Sequence, residues 1–558
     1  MLYRSHNCGE LRKIDIGKKV VLSGWINKIR NLGNILFVDI RDFFGITQLV
    51  ISNTIIEKKK LGKEFLINVK GKVVERYSKN YKLHTGEIEI NVKNIVILNK
   101  SVKLPFIIDD NTDGTEEERM KYRYLDIRRN FIKNNLISRH NIVRDIRFFF
   151  YKKKFLEIET PILINYTPEG ARNFLVPSRK NKGKFYSLPQ SPQIFKQLLM
   201  IGGIDKYFQI VKCFRDEDSR SDRQVEFTQI DYEMSFVKSS NVVNFSEEFI
   251  KYLLKKTINK YNIMPFISIS YSQSMEMYGT TNPDIRFGMI FTKLNKLKTN
   301  FFKRTELVIG IKKNLISFNK KKINYILKNL KKNNNTNILW IQYTINKSFL
   351  SSIEVKENNL LNIICKNFSN ISPGDIIFIS YGEKKESRNI LNKIRLRIIK
   401  IIEKKKSNIL QPVWVKEFPI LEWDKKNNKF KSVHHPFTNP KKEDINLLQD
   451  NPEKVRSDSY DLVINGIEVA SGSIRINNNN IQKIIFKYLG LSNKEIESKF
   501  GFFIKAFKYG TPPHGGIAFG LDRLINLLIC NKNNIKDYIA FPKNNFGKDL
   551  MTNSPNYL

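Results

Sequence analysis

The sequence predicts an α+β protein of several domains that opens on a small β-barrel, and three observations predict it. At 558 residues the chain is too long for one compact core. Residues 15–100 alternate apolar and polar side chains between short turn signals, and from about 130 onward helical and strand-like stretches interchange. Hydrophobic residues at 41% can build real cores, which excludes a disordered chain in spite of a formal net charge of +42. The excess of 96 Lys+Arg over 54 Asp+Glu suits a polyanionic partner, but Lys, Asn, Ile and Phe are all abundant, as in AT-rich coding sequence, so charge alone locates no nucleic-acid site. Cys8, Cys213, Cys365 and Cys530 form no C-x-x-C pair, which speaks against a disulfide framework or a cysteine zinc site and for a reducing compartment. The opening MLYRSHNCGELRK has no apolar signal core, and no run of about eighteen apolar residues follows it, so a cytoplasmic protein with no membrane partner is expected.

Within residues 1–105, KKVVLSGWI, ILFVDIRD, GITQLVIS, FLINVKGKVVE and EIEINVKNIVIL read as five strands, with turns at Asn31-Leu32-Gly33 and Thr85-Gly86. Five strands in so short a span suggest an OB-type barrel, whose usual ligand is an oligonucleotide; a barrel without a ligand fits the same pattern. Residues 106–130 read as a polar hinge running into a helix. From 131 to 283 a helix over 136–153 leads into FLEIETPIL, and SPQIFKQLLM opens a second helix with Ser191 as N-cap and Pro192 in its first turn. Lys/Asn/Ile-rich runs over 284–405 carry no catalytic constellation and read as an insertion, after which chemistry-bearing sequence resumes over 406–558.

Residues 214–233, FRDEDSRSDRQVEFTQIDYE, read as two strands joined by a charged loop. Period two puts Phe227, Gln229, Asp231 and Glu233 on one face, Ile230 and Tyr232 on the other, and aligns Arg215 with Glu217. The polar face is either a solvated, salt-bridged hairpin or a platform on which Phe227 stacks a purine and Arg215 holds a phosphate. In DLVINGIEVASGSIRI, Asn465-Gly466 signals a type I′ hairpin. That register pairs Val463 with Glu468 and sets Asp461 diagonal to Glu468 on one face, roughly 7 Å away. Unless the pair lies on a solvated edge, it needs a cation, and hard oxygen ligands without His or Cys suit Mg²⁺. YGTPPHGGIAFGLDRLINLL reads as a glycine-rich strand feeding a helix. Arg523 in the first turn opposes the helix dipole, which an anion bound there would explain; a capped structural helix is the alternative. His434-His435 has no third metal-type ligand at helical spacing, and no P-loop, dinucleotide fingerprint or nucleophile elbow occurs.

Taken together these segments resemble the class II aminoacyl-tRNA synthetases, and among them the bacterial type of aspartyl-tRNA synthetase, over essentially the whole chain. FLEIETPIL is similar to motif 1 of the class, residues 214–233 to motif 2 and GIAFGLDRL to motif 3. TPEGARNFLVPSR, LPQSPQIFKQLLM, HHPFTNP and VINGIEV match aspartate-specific segments, and the barrel matches the anticodon-binding domain. The resemblance implies an antiparallel catalytic sheet flanked by helices, an inserted α+β domain and a homodimer with motif 1 at its interface. It also implies the substrates ATP, L-aspartate and tRNA-Asp, with tRNA-Asn as a second acceptor left open. Asparaginyl- or lysyl-tRNA synthetases and a non-catalytic paralogue are the rivals; Arg475, Lys196 and the insertion favour aspartate over the first two.

On this resemblance Arg215 binds the α-phosphate, Phe227 and Arg523 sandwich adenine, Glu217 contacts the nucleotide, and Arg223 lies near the γ-phosphate. Gln224, Gly520 and Asp522 complete the ATP set, and Asp461 and Glu468 hold Mg²⁺. Arg475 and Lys196 take the aspartate side chain, Asp231 and Gln193 its ammonium end, Glu169 sits on a mobile loop, and His434 and His435 lie near the substrates. In the barrel Arg30, Phe37, Gln48 and Arg76 match anticodon-reading positions. An amide ligand in place of aspartate is expected to leave Arg475 and Lys196 buried without a counter-charge. The chain departs from the family at Lys154 (a motif 1 glycine), Asn173 (an acid), Ala470-Ser471 (Gly-Gly) and Asn31 (an Asp), and a C-terminal tail reads as trimmed after TNSPNYL.

Overall fold

The computed structural model describes residues 2–557 apart from 34, 53–54, 56–60, 168–169, 218–222, 258–261, 295–301, 303–304, 329, 331–335, 347, 353–363, 369, 403–407, 426 and 530–533. The chain divides into two compact units, Met1–Tyr122 and Arg123–Leu558. In the first, β1 (Lys19–Leu32), β2 (Ile35–Arg41), β3 (Ile46–Ser52), β4 (Leu66–Glu75) and β5 (Ile88–Asn99) close a barrel in the order β1-β2-β3-β5-β4. Val20, Leu22, Ile26, Val38 and Ile40 point inward and form its core with Leu49, Val69 and Ile90. Strict alternation from Ile26 would turn Arg30 inward as well. A bulge between Ile26 and Lys28 shifts the register, so Ile29 packs on the core while Arg30 lies opposite Phe37 on the outer side.

The second unit is built on an eight-stranded sheet. Its elements are α1 (Asn130–Lys152), β6 (Leu156–Glu157), α2 (Gln193–Ile201), β7 (Lys206–Phe214), β8 (Glu226–Ser235), α3 (Ser239–Thr257), β9 (Ile267–Ser270), β10 (Pro412–Lys416), β11 (Ser459–Ile464), β12 (Ile467–Ile474), β13 (His514–Gly520) and α4 (Leu521–Ile529). The strand order is β9-β10-β11-β12-β13-β8-β7-β6, antiparallel except for the pairs at its two edges. One sheet face is apolar: Ile230, Tyr232, Leu462, Ile517 and Phe519 pack against Ile146 and Phe150 of α1, Phe249 and Leu253 of α3, and Leu524 and Ile525 of α4. The other face is left for polar residues, as the alternation over 227–233 requires.

Local departures from the sequence reading have local causes. Helix α1 begins at Asn130 rather than 136, because Ile132 and Asn135 are buried and tertiary packing extends it. Past its end at Lys152, Lys154 has a φ of 60° in the left-handed region, and the Phe155 N–H donates back to Phe150 O at 3.0 Å. That conformation favours glycine, so the lysine at this motif 1 position occupies a strained backbone site. Ser191 is not the N-cap of α2: Pro192 holds that place, with φ −79° and ψ 22°, and no side chain caps the helix. Between β9 and β10 a separate five-stranded sheet runs in the order Thr292–Lys293, Leu307–Asn314, Asp375–Gly382, Thr336–Tyr343, Phe349–Ser351. Helix Lys384–Ile402 covers it through Ile390, Leu391 and Ile394, which pack with Ile309, Ile311 and Phe378. Among the described residues no helix is long and apolar enough to cross a membrane.

Candidate active site

The polar face of the large sheet floors a cavity of about 590 Å³. Its position follows from register. Asp231 lies opposite Ala518, Ala518 opposite Ser471, and Ser471 opposite Asp461, so four neighbouring strands contribute one row of side chains to the floor. The next row runs Glu233, Gly516, Ser473. A Cβ at Gly516 would meet the Glu233 carboxylate at 2.1 Å, so only glycine there lets that carboxylate lie across the strand. Helix α2 supplies Gln193, Lys196 and Gln197, whose i, i+3, i+4 spacing turns them together toward the sheet.

At the centre Arg475 makes a bidentate pair with Glu233, at 2.7 and 3.0 Å. Lys196 Nζ lies 2.9 Å from Asp231 and 3.2 Å from Glu233. All four side chains are at most 2% exposed, so they form a closed, electrically balanced cluster. Burial pushes Glu233 upward, yet the charges of Arg475 and Lys196 overcome it and hold its pKa at about 2. For Asp231 burial wins over Lys196, and its pKa lies above the ordinary value. The cluster corrects the expectation that an amide ligand would leave Arg475 and Lys196 without a counter-charge, since Glu233 and Asp231 already supply two. Reading in sequence alone assigned Glu233 no part. The signal was its place on the polar face of a central strand, where a carboxylate needs a buried cation.

Toward the hairpin, Asn465 and Gly466 both have positive φ, 52° and 79°, and Val463 pairs with Glu468, as the type I′ reading requires. A bulge between Leu462 and Val463 was not legible in the sequence; it sets Asp461 opposite Ser471. Asp461 and Glu468 both line the cavity, and burial together with the Asp461 charge pushes the Glu468 pKa up. His434 Nε2 lies 3.0 Å from Asp461 Oδ1. Burial works against protonation of His434, but the two carboxylates outweigh it and raise its pKa. His435 Nε2 faces the Arg475 guanidinium, and its Nδ1 accepts from the Phe437 N–H at 3.2 Å. Among the described residues no group of three or more His, Cys, Asp or Glu forms a metal cage, and the donor set here is two carboxylates.

At the other end Arg215 lies over the Phe227 ring, 5.1 Å from its centroid, with its Nε buried and unbonded among the described residues. Arg223 pairs with Glu217 at 3.1 Å on the rim. Arg523 donates to the Glu468 carbonyl at 3.1 Å, and Gly520 lines the cavity where β13 passes into α4. Two expected nucleotide contacts have their polar groups engaged elsewhere. Asp522 accepts from Arg139 and from the Thr228 N–H, and Gln224 is clamped to both backbone groups of Lys543 at 3.2 and 2.9 Å. Glu169 lies outside the described residues. Gln190 bonds both backbone groups of Ala171 and the side chain of Asn173, whose amide in turn donates to Ser187 at 2.7 Å. The departure at Asn173 thus provides a donor and an acceptor at once, which an ionised acid cannot.

The barrel is a separate unit with its own polar network. Arg30 donates to Asp39 and to Gln48, each at 2.9 Å, and Gln48 donates to Glu89 at 2.7 Å. Phe37 lies beside Arg30 in the β1–β2 register, and the charge of Arg76 reaches Asp39. Phe43 and Phe44, each 57% exposed and edge-to-face, are surface aromatics that period-two reasoning passed over because they sit in a turn.

Comparison with known proteins agrees with this geometry. The family described as tRNA synthetases class II (D, K and N) matches residues 115–545, and an OB-fold nucleic acid binding domain matches residues 20–98. The chain belongs to the class II tRNA synthetases. It is 45% identical to the aspartate–tRNA ligase of Flavobacterium psychrophilum over 100% of this chain and 97% of that one. It is 44% identical to that of Amoebophilus asiaticus, over 99% and 97% of the two chains. In fold it is similar to the asparaginyl-tRNA synthetase of Pyrococcus horikoshii complexed with asparaginyl-adenylate, with a TM-score of 0.61 at 18% identity, covering 97% of this chain and 98% of that one. The synthetase match spans the cavity, the large sheet and the separate five-stranded sheet; no described residue of 284–405 lines the cavity.

Proposed function

We propose that this class II synthetase is an aspartate–tRNA ligase: it joins L-aspartate to ATP, releasing pyrophosphate, and passes the aspartyl group to the 3′ end of tRNA-Asp. The observation that carries the choice of amino acid is the buried Lys196–Asp231–Glu233–Arg475 cluster. If the ligand's ammonium takes Asp231, the remaining two cations and one carboxylate carry a net positive charge. Aspartate's side-chain carboxylate balances it, whereas asparagine's neutral amide leaves it buried and unbalanced, at a cost of several kcal/mol, on the order of a broken buried pair. The asparaginyl and lysyl alternatives lack that complementarity.

In the first step an oxygen of the aspartate α-carboxylate attacks the α-phosphorus and the bond to pyrophosphate breaks. The nucleophile needs no general base, because an α-carboxylate with a pKa near 3.5 is ionised at pH 7. Arg215, with unused donor capacity over Phe227, stabilises charge on the α-phosphate; Phe227 and Arg523 bracket adenine, and Glu217, Arg223 and Gly520 bound the rest of the nucleotide. Asp461 and Glu468 fit a hard divalent cation such as Mg²⁺, since both line the cavity and Glu468 resists its charge beside Asp461. When bound there, the ion offsets negative charge on the phosphates. His434 orients the Asp461 carboxylate and His435 supports Arg475.

For the barrel we read Arg30, Phe37, Gln48 and Arg76 as the anticodon surface, with residues 1–105 as that domain, 106–130 as hinge, 131–283 and 406–558 as the catalytic domain and 284–405 as an insertion. Exposed Phe148, Tyr151, Leu156, Ile162 and Leu163 around motif 1 support a homodimer through that edge. ATP and tRNA as substrates point to the cytoplasm. The test is aspartate-dependent ATP–pyrophosphate exchange, with aspartylation of purified tRNA-Asp and tRNA-Asn transcripts in the same preparation. Exchange with charging of the first alone makes the enzyme discriminating, charging of both makes it non-discriminating, and folded protein without exchange overturns the catalytic reading.

A further inference from the structure

Behind the cavity wall a chain of side chains leads to Gln193, and two of its members, His514 and Gln197, have no assigned part in substrate binding. His514 Nδ1 lies 2.7 Å from the Pro512 carbonyl, which can only accept, so the proton is on Nδ1. In a neutral ring Nε2 is then an acceptor, and Gln197 Nε2 donates to it at 3.1 Å. This orients the Gln197 amide with its oxygen toward Gln193, whose Nε2 donates to it at 2.9 Å. Gln193 is left with its own Oε1, which accepts from no described residue, and it lines the cavity. The three side chains are at most 5% exposed, so no solvent competes for the order of donors and acceptors. Burial, opposed by the charge of Glu233 and by the bond to Pro512 and reinforced by Arg475 and Lys196, holds His514 below the ordinary histidine pKa and hence neutral at pH 7. On the facing strand Asp231 has a second bare acceptor: its Oδ1 lies 2.9 Å from Lys196 Nζ but is not aligned with any donor.

We propose that His514 is a positioning residue that, through Gln197, holds the Gln193 amide oxygen as an acceptor for the ammonium group of the bound amino acid. The inference rests on the aspartate-activation reading above and adds to it a group that touches no substrate. Were the amide of Gln193 free to turn, its NH₂ would face the ammonium about half the time, and the subsite would repel the group it serves. The Pro512 carbonyl removes that freedom.

The experiment uses the full-length chain and ATP–pyrophosphate exchange. His514→Leu is expected to raise the KM for aspartate about tenfold or more, the weight of one hydrogen bond to a charged group, with the KM for ATP and kcat within about twofold. His514→Gln, whose amide can donate to Pro512 and accept from Gln197, is expected to restore most of the loss. Gln197→Leu cuts the chain without touching Pro512 and carries the same test if His514→Leu does not fold. Equal rises in both KM values, or a glutamine variant as poor as the leucine one, would overturn the proposal. Wild-type protein without aspartate-dependent exchange would instead remove the functional reading on which it rests.

Discussion

Two polar networks in this molecule differ in how much water reaches them. The Lys196–Asp231–Glu233–Arg475 cluster is sealed, with every charge paired inside the sheet unit. The Arg30–Asp39–Gln48–Glu89 network of the barrel is part-exposed, its Arg30 side chain 38% accessible. A sealed network distinguishes ligands by charge, because any imbalance stays uncompensated in a low dielectric. An open one exchanges its bonds for those of a ligand at little cost, which suits reading base edges by hydrogen bonding and stacking. The same residue type, arginine, therefore serves as a structural counter-ion in one place and as an adaptable donor in the other.

The largest effect expected from this contrast is at Arg475. Arg475→Leu strands Glu233 in the sheet and should lower stability by ~3–5 kcal/mol while abolishing aspartate activation far more than tRNA binding. Adding Glu233→Leu should return much of the stability, measured by urea melts, but none of the exchange activity; recovery of exchange would break the assignment. The next effect is with pH. Glu233 has a depressed pKa, so its contribution is present above the unfolded carboxylate range and is lost as pH falls from about 4.5 toward about 2. That amounts to ~3 kcal/mol across the window. Urea melts of Glu233→Gln over the same range should show a flatter acid limb; an unchanged slope would mean that Glu233 is not held ionised.

On the barrel side the effect is smaller and confined to tRNA. Arg30→Ala should raise the charging KM for tRNA-Asp roughly tenfold and leave aspartate-dependent exchange untouched; a normal charging KM would count against the open network as the reading surface. Smallest is Lys154→Gly. Relief of a left-handed lysine should stabilise the sheet unit by ~1 kcal/mol in thermal melts with no change in kcat. Destabilisation there would show that the lysine side chain contributes more than its backbone costs.

Much of both regions was legible in the chain. Period two over 227–233 sorted polar from apolar faces correctly, and Asn465-Gly466 announced the hairpin that carries Asp461 and Glu468. What the chain did not mark was one extra residue or one distant partner. The bulges after Ile26 and after Leu462 reset side-chain phase without any turn residue to mark them. Asp522 and Gln224 stand in motif positions, yet Arg139 and Lys543 claim their polar groups from far along the chain.

The sequence by itself determined what is local: strand period, turn chemistry, the order of motif segments, and hence the class of protein and the residues that face the cavity. These follow from backbone sterics and side-chain periodicity, which act over a few residues. Only the tertiary structure decided which charges neutralise which, as with Arg475 and Glu233, 242 positions apart. It also decided which nitrogen of His514 holds its proton, and so which end of Gln193 is engaged by Gln197. Those outcomes depend on burial and on the field of groups brought together by folding, and no window of sequence contains them.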